Sequence, residues 1–268
     1  MFFKILFRSN GYCKENTLSV REEWLKKCIS WKTKWPVIDT KSIKGDEQVD
    51  LYSVIESINS LSDPSDVIMG DAGSISYAGP VTLKAKQNGE EAQRLIFSQS
   101  QADMGWGLPA SIGVSIASKR QVIAIIGDGS FMSNLQELAV VREHWLNIKF
   151  IILNNNGYLS IRNTQNKFYE GREYGTSNKN GLWFPDFRDI AESFEIGYYK
   201  ADTNKDLEKL SEIFKTPGPY IIDCHCKYDQ QILPSQSFKN GKQAPLHDMF
   251  PFLSDEELQK EMVDKSLL

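Results

Sequence analysis

Two near-continuous apolar runs, QVIAII (residues 121–126) and IKFIIL (148–153), constrain the fold of this chain more than any other feature. Neither alternates polar with apolar residues, so neither reads as a strand with one face in water. Strands buried on both faces belong to parallel sheets covered by helices on either side. Between them, SNLQELAVVREHW (133–145) carries apolar residues at helical spacing. Its Ser133 and Gln136 predict a helix that opens on a capping box. The alternation continues elsewhere. VIMGD (67–71), RLIFS (94–98) and YIIDCHC (220–226) read as strands, while DLYSVIESINSL (50–61), GLPASIGVSIAS (107–118), FPDFRDIAESF (184–194) and DLEKLSEIF (206–214) supply the helical pattern. The expected fold class is α/β, a doubly wound, mostly parallel sheet flanked by helices.

Length and charge narrow the partners. A chain of 268 residues can hold one large or two small domains with a substantial core. A net charge of −4 with no dominant basic cluster argues against nucleic acid. The opening MFFKILFRSN is interrupted by Lys4 and lacks a signal-type core, and no stretch approaches the roughly 18 apolar residues of a membrane span. The expectation is a cytoplasmic protein without membrane association. Four cysteines, Cys13, Cys28, Cys224 and Cys226, form no Cys-x-x-Cys pair. Cys224-His225-Cys226 lies in a strand whose side chains alternate faces, so reduced structural thiols are favoured over a metal site. Residues 1–45 read as peripheral, with a helix from Val20 to Trp31 that Pro36 keeps from running on. Residues 46–232 form the regular domain, and 233–268 a Pro- and Gly-punctuated tail.

In such folds ligands bind beyond the carboxyl ends of the strands. Two strand ends stand out, Gly127-Asp128-Gly129-Ser130 and Asn154-Asn155-Asn156-Gly157. They flank one helix, with Asp128 and Asn155 27 positions apart, so a right-handed crossover brings the loops together. Glycines admit a ligand close to the backbone, and a helix N-terminus offers free N–H groups to a diphosphate. A carboxylate and a carboxamide oxygen suit Mg²⁺. Neither loop is a Walker A or G-x-G-x-x-G sequence, which disfavours ATP and NAD. Taken alone, Gly-Asp-Gly is also an ordinary turn.

GDGS followed by LNNNG resembles the thiamine diphosphate motif of the acetolactate synthase and 2-oxoacid decarboxylase superfamily, and specifically its C-terminal diphosphate-binding domain. QSQADMGWGLPASIG (99–113) is similar to that family's Met-Gly-x-Gly-Leu-Pro-Ala segment. WFPDFRDIAESFEI resembles its Pro-Asp-Phe stretch, with Glu195 where glycine is usual, and APLHDMFPF resembles its C-terminal end. The resemblance spans about residues 20–255.

It implies that Asp128 and Asn155 ligate Mg²⁺ with their side chains and Gly157 with its main-chain carbonyl. Gly127, Gly129 and Ser130 would hold the diphosphate. The carbonyl of Ala102, again at a usual glycine position, would accept from the aminopyrimidine. Met104 would wedge beneath the bent cofactor, so that proximity assists loss of the thiazolium C2 proton. Asp71, Gly73 and Ser74 would lie on the substrate side.

Several residues stay open between function and structure: Glu137 as a loop-orienting group or an exposed helix charge, Tyr158 and Arg162 facing substrate or the surface, and His247 reaching the site or remaining in the tail. His144 and His225 read as structural. The family's full-length enzymes also carry a central domain and a pyrimidine-binding domain whose glutamate protonates the ring. The material preceding GDGS resembles the end of the central domain plus a linker, so the catalytic glutamate is expected from elsewhere.

Three readings follow. The chain is part of an acetolactate synthase-like enzyme acting on a 2-oxoacid by decarboxylation, with or without carboligation. Alternatively it is the diphosphate-binding subunit of a two-chain sulfopyruvate- or phosphonopyruvate-type decarboxylase, or a non-catalytic module that binds the cofactor. The first two expect thiamine diphosphate and Mg²⁺ as ligands, the third thiamine diphosphate or a nucleotide in a regulatory or scaffolding role, and the expected assembly is a homo- or hetero-oligomer.

Overall fold

Six strands, all parallel, form one sheet in the computed structural model, which describes residues 18–38, 43–89, 91–98 and 100–262. The strands are β1 (Val67–Gly70), β2 (Arg94–Phe97), β3 (Val122–Gly127), β4 (Ile148–Asn154), β5 (Gly197–Ala201) and β6 (Tyr220–His225). Their spatial order is β2-β1-β3-β4-β6-β5. The two apolar runs become the central pair β3 and β4, in register from Val122 opposite Ile148 to Gly127 opposite Leu153. Ile123, Ala124, Ile125, Phe150, Ile151 and Ile152 are all fully buried, as two covered faces require. The sheet is thus wholly parallel and the expected α/β class holds.

Contacts divide the chain into two units, residues 1–39 and 40–268. In the first, α1 (Leu18–Lys34) stops just before Pro36, with the rings of Trp24 and Trp31 meeting edge-on at 5.7 Å. Cys13 lies outside the described residues. In the second, α2 (Leu51–Leu61) is capped by the Asp50 carboxylate, which accepts from the Tyr52 N–H at 2.9 Å. Its Leu51, Val54, Ile55 and Ile58 recur at helical spacing and are buried. The α3 helix (Ser74–Thr82) follows β1, and α4 (Gly107–Ser118) precedes β3.

The helix expected over 133–145 begins earlier and is broken. Gly127 is extended (φ −72, ψ 151), and helical turns start at once as α5 (Asp128–Phe131). A 3₁₀ stretch runs from Met132 to Glu137, and α6 covers Leu138–Glu143. Ser133 therefore lies inside a helical run, where no free N–H groups need capping, and the predicted Ser133–Gln136 box does not form. The break falls at Asn134 (φ −139, ψ 33), whose side chain serves another segment. Phe131 anchors this run. It is fully buried, with ring centroids 5.7 Å from Phe150 and 5.8 Å from Phe187.

The α7 helix (Leu159–Phe168) follows β4, and α8 (Phe187–Ser193) is capped by Asp186. Glu195, in place of the usual glycine, takes a left-handed conformation (φ 51) and pairs its carboxylate with Arg142. The tail is tied to α2 through Tyr52, whose hydroxyl donates to the Leu233 carbonyl at 2.9 Å. Among the described residues no helix is long and apolar enough to cross a membrane.

Candidate functional site

From β1 the chain passes to β2 on one side of the sheet, while β3 lies on the other. That reversal opens a crevice beyond the carboxyl ends of β1 and β3, the place where doubly wound sheets bind ligands. Both expected strand-end loops open into a cavity there, lined among others by Gly73, Ser74, Met104, Asp128, Asn155 and Tyr158.

Asp128 joins the two loops. Its Oδ1 accepts from the Gly129 N–H and its Oδ2 from the Gly157 N–H, each at 2.8 Å. The carboxyl is 1 % exposed. Burial pushes its pKa up to about 7, against the lowering effect of those backbone donors and of the nearby Arg162 charge. Gly157 is a close approach that only glycine permits. Its φ is +142, and a Cβ there would stand 1.9 Å from the Thr176 carbonyl oxygen. Its own carbonyl accepts from the Leu159 N–H at 3.2 Å.

Asn155 is buried, and its Oδ1 accepts from Arg162 Nη2 at 3.1 Å. Ser130 and Gly129 are buried as well, and the Tyr158 ring lies against Gly129, 2.2 Å from where a Cβ would be. The Gly129 N–H assigned to a diphosphate thus already serves the Asp128 carboxylate in this structure.

The Met-Gly-x-Gly segment forms the rim. Ala102 takes a left-handed conformation (φ 53), the geometry that suits the glycine usual there. Gly105 (φ 82) passes over the broken helix, and its carbonyl accepts from Asn134 Nδ2 at 2.7 Å. Met104, between them, is 48 % exposed and borders the cavity. At the crevice floor Asp71 is 2 % exposed. Its Oδ1 accepts from the Gly107 N–H at 3.2 Å, while Oδ2 has no partner among the described residues. Burial raises its pKa. Gly73 (φ 77) and Ser74 open α3 beside it.

Other candidates fall elsewhere. Glu137 is half-buried on the 3₁₀ stretch and His247 is exposed. His144 caps the end of α6. His225 is held between Asp202 (2.9 Å) and Asp223 (3.1 Å). Cys224 and Cys226 are buried free thiols, and Cys226 borders the cavity.

Arg162 differs from both expectations for it. It faces neither open surface nor an exposed cleft, being fully buried and donating to backbone and side-chain oxygens. The missed signal was its spacing. Arg162 stands three positions after Leu159, on the same face of α7, and Leu159 is buried. Asn134 was also missed, because a polar residue inside a helical pattern reads as surface.

The residues fit a hard divalent cation. Asp128, Asn155 and Gly157, which offer a carboxylate, a carboxamide oxygen and a main-chain carbonyl, line the same cavity, and oxygen donors of this kind suit Mg²⁺. Among the described residues no cluster of three or more His, Cys, Asp or Glu offers a softer metal site.

The sequence matches known proteins. Residues 78–224 match the family described as "Thiamine pyrophosphate enzyme, C-terminal TPP binding domain". The chain is 34 % identical over 217 residues to the acetolactate synthase large subunit of Cyanidium caldarium, covering 80 % of this chain and 35 % of that protein. It is 30 % identical over 220 residues to the mitochondrial acetolactate synthase of Schizosaccharomyces pombe, covering 80 % and 31 % respectively. It is 29 % identical over 242 residues to the mitochondrial acetolactate synthase catalytic subunit of Aspergillus candidus, covering 88 % and 33 %. The chain thus spans about a third of the length of the curated relatives it matches.

Proposed function

The chain belongs to the thiamine pyrophosphate enzymes as a C-terminal TPP-binding domain, and from that premise we propose that it is the Mg²⁺- and diphosphate-binding half of an acetolactate synthase-like enzyme acting on a 2-oxoacid. The observation that carries the proposal is Asp128, a buried carboxylate at the end of β3 that reaches across to the Gly157 N–H of the loop after β4. Asp128 and Asn155 would ligate the metal through their side chains, with the Gly157 carbonyl as a third oxygen. Ser130 and the glycines around Asp128 would face the diphosphate. Ala102 and Met104 would meet the aminopyrimidine from the rim. Thiamine diphosphate, when bound, supplies the electron sink for cleaving and forming the bond next to a carbonyl. The domain's own task is to hold the cofactor, orient it and keep water from the buried end of the crevice.

The similarity to acetolactate synthases favours a reaction in which a decarboxylated 2-oxoacid adds to a second carbonyl compound. The proposal includes a pyrimidine-binding domain, on the same polypeptide or a partner, that brings the glutamate completing the site. In calorimetry the chain is expected to bind thiamine diphosphate only with Mg²⁺, and Asp128→Ala is expected to abolish that binding. Equal affinity in the variant refutes the metal role. Turnover of pyruvate by the purified chain alone refutes the need for a second domain.

A further inference from the structure

Arg162 is the largest fully buried side chain described in this protein. An arginine is costly to bury and stays charged, so its partners must account for it. Nη1 donates to the Thr176 carbonyl at 3.2 Å. Nη2, with two N–H groups, lies within hydrogen-bonding distance of three oxygens, the Tyr228 carbonyl at 2.7 Å, Asn155 Oδ1 at 3.1 Å and the Asn155 carbonyl at 3.2 Å, so two of them share one N–H, while Nε has no partner among the described residues. The guanidinium carbon also lies 3.7 Å from the centroid of the Tyr228 ring. All four acceptors are uncharged oxygens. Two belong to Asn155, and the others come from the turn at Thr176 and the segment after β6.

An asparagine side chain can turn either its oxygen or its NH₂ toward a neighbour. A guanidinium only donates, so Arg162 requires the oxygen. It takes one of that oxygen's two lone pairs and leaves the other available. It also holds the main-chain carbonyl of the same residue, which fixes the loop as well as the rotamer. We propose that Arg162 is a positioning residue for the divalent-metal site, selecting the oxygen-inward rotamer of Asn155 and holding its loop against the Thr176 and Tyr228 segments. This rests on the thiamine diphosphate and Mg²⁺ reading above. It goes beyond that reading in making metal affinity depend on a residue that does not touch the metal. Partners that orient a ligand are worth about 10- to 100-fold in metal affinity.

The test is a titration of Mg²⁺ into the full chain at fixed thiamine diphosphate, followed by calorimetry. Arg162→Gln is expected to weaken Mg²⁺ by about 10- to 100-fold, with Arg162→Lys recovering part of the loss. Tyr228→Phe keeps the ring stacked on Arg162 and removes only the hydroxyl bonds to Glu173 and Ser177, without touching Asn155. It should lower the melting temperature yet leave Mg²⁺ affinity unchanged, a split that general loosening of the junction does not produce. Unchanged or tighter Mg²⁺ binding in Arg162→Gln overturns the proposal, and so does an equal loss in Tyr228→Phe.

Should Arg162→Gln fail to fold, Arg162→Lys decides. One ammonium cannot reproduce the several bonds of the guanidinium, so Mg²⁺ is expected to bind more weakly than in the wild type. Wild-type affinity in Arg162→Lys overturns the proposal. Failure of the functional reading shows separately, as absence of Mg²⁺-dependent cofactor binding in the wild type, and removes the proposal with it.

Discussion

Replacing Gly157 with alanine tests whether the two loops are joined where the structure joins them. Three costs are expected. An alanine at φ +142 is strained, by about 1–3 kcal/mol. Its Cβ would stand 1.9 Å from the Thr176 carbonyl oxygen and 2.9 Å from the carbonyl carbon, both backbone atoms that no rotamer change can move. Separating them to ordinary contact breaks the Tyr158 N–H bond to that oxygen, now 2.9 Å, and disturbs the Gly157 N–H bond to Asp128. A buried polar group left unpaired costs about 1–3 kcal/mol. The expected loss is about 3–6 kcal/mol, a large share of the about 5–15 kcal/mol available to a typical domain.

Gly175→Ala is the control. Gly175 also has positive φ (+64) in the neighbouring loop, but nothing lies within 4 Å of its added Cβ. It should cost only about 1 kcal/mol, the price of the left-handed backbone. Urea unfolding of the wild type and both variants measures the difference, with an unchanged slope confirming that the same transition is read. If Gly157→Ala lies within about 1 kcal/mol of Gly175→Ala, the close approach at Thr176 is not what holds the loops.

Two further outcomes are expected from single contacts. Asn134→Ala removes the 2.7 Å bond to the Gly105 carbonyl and should cost about 1–2 kcal/mol while speeding amide exchange from Gly105 to Leu108; unchanged exchange there would mean the broken helix does not hold the rim. For His225, the hydrogen bond to Asp223 raises its pKa, with Asp202 acting in the same direction against burial and the Lys200 charge. A raised histidine pKa stabilises the folded state fully below the ordinary value near about 6.5, and that contribution disappears as pH rises through the folded value. The stability gap between wild type and His225→Asn should therefore be largest near about pH 6 and shrink above neutrality, and a gap independent of pH would show that the imidazolium is not what the two aspartates hold.

The central sheet was legible because burial on both faces leaves a direct trace in sequence, an unbroken apolar run. The loops were legible for the same reason, since each run ends abruptly in Gly, Asp or Asn. The helix after GDGS was misread at its start because capping residues mark an N-terminus only where the chain is not already helical. There, Gly127 turns straight into Asp128. Positions where glycine is usual but another residue stands proved informative in a different way. Ala102 (φ 53) and Glu195 (φ 51) both keep the left-handed backbone, so the geometry persists without the residue that most easily adopts it. At Glu195 the carboxylate pairs with Arg142 on the exposed surface. Arg162 could not be read as buried from its type, because arginine is rarely buried without a carboxylate and its oxygens come from three separated segments.

Those three segments explain why the site is built around charges that a folded domain would otherwise avoid. Asp128 is buried deeply enough to push its carboxyl toward neutrality, and that direction means the ionised form lowers the stability of the metal-free domain as pH rises through about 7. The chain nevertheless gives the carboxylate two backbone donors aimed at its oxygens and a guanidinium behind Asn155. An apolar pair of similar volume would be cheaper to bury. Both arrangements hold oxygen atoms in fixed positions at the end of a buried strand. A cation placed there would favour the ionised carboxylate and recover the stability that burial removes, so ligand loading and folding are linked through the same atoms. On the proposed reading, the cost of burying these oxygens in the metal-free domain is what a bound cation would offset.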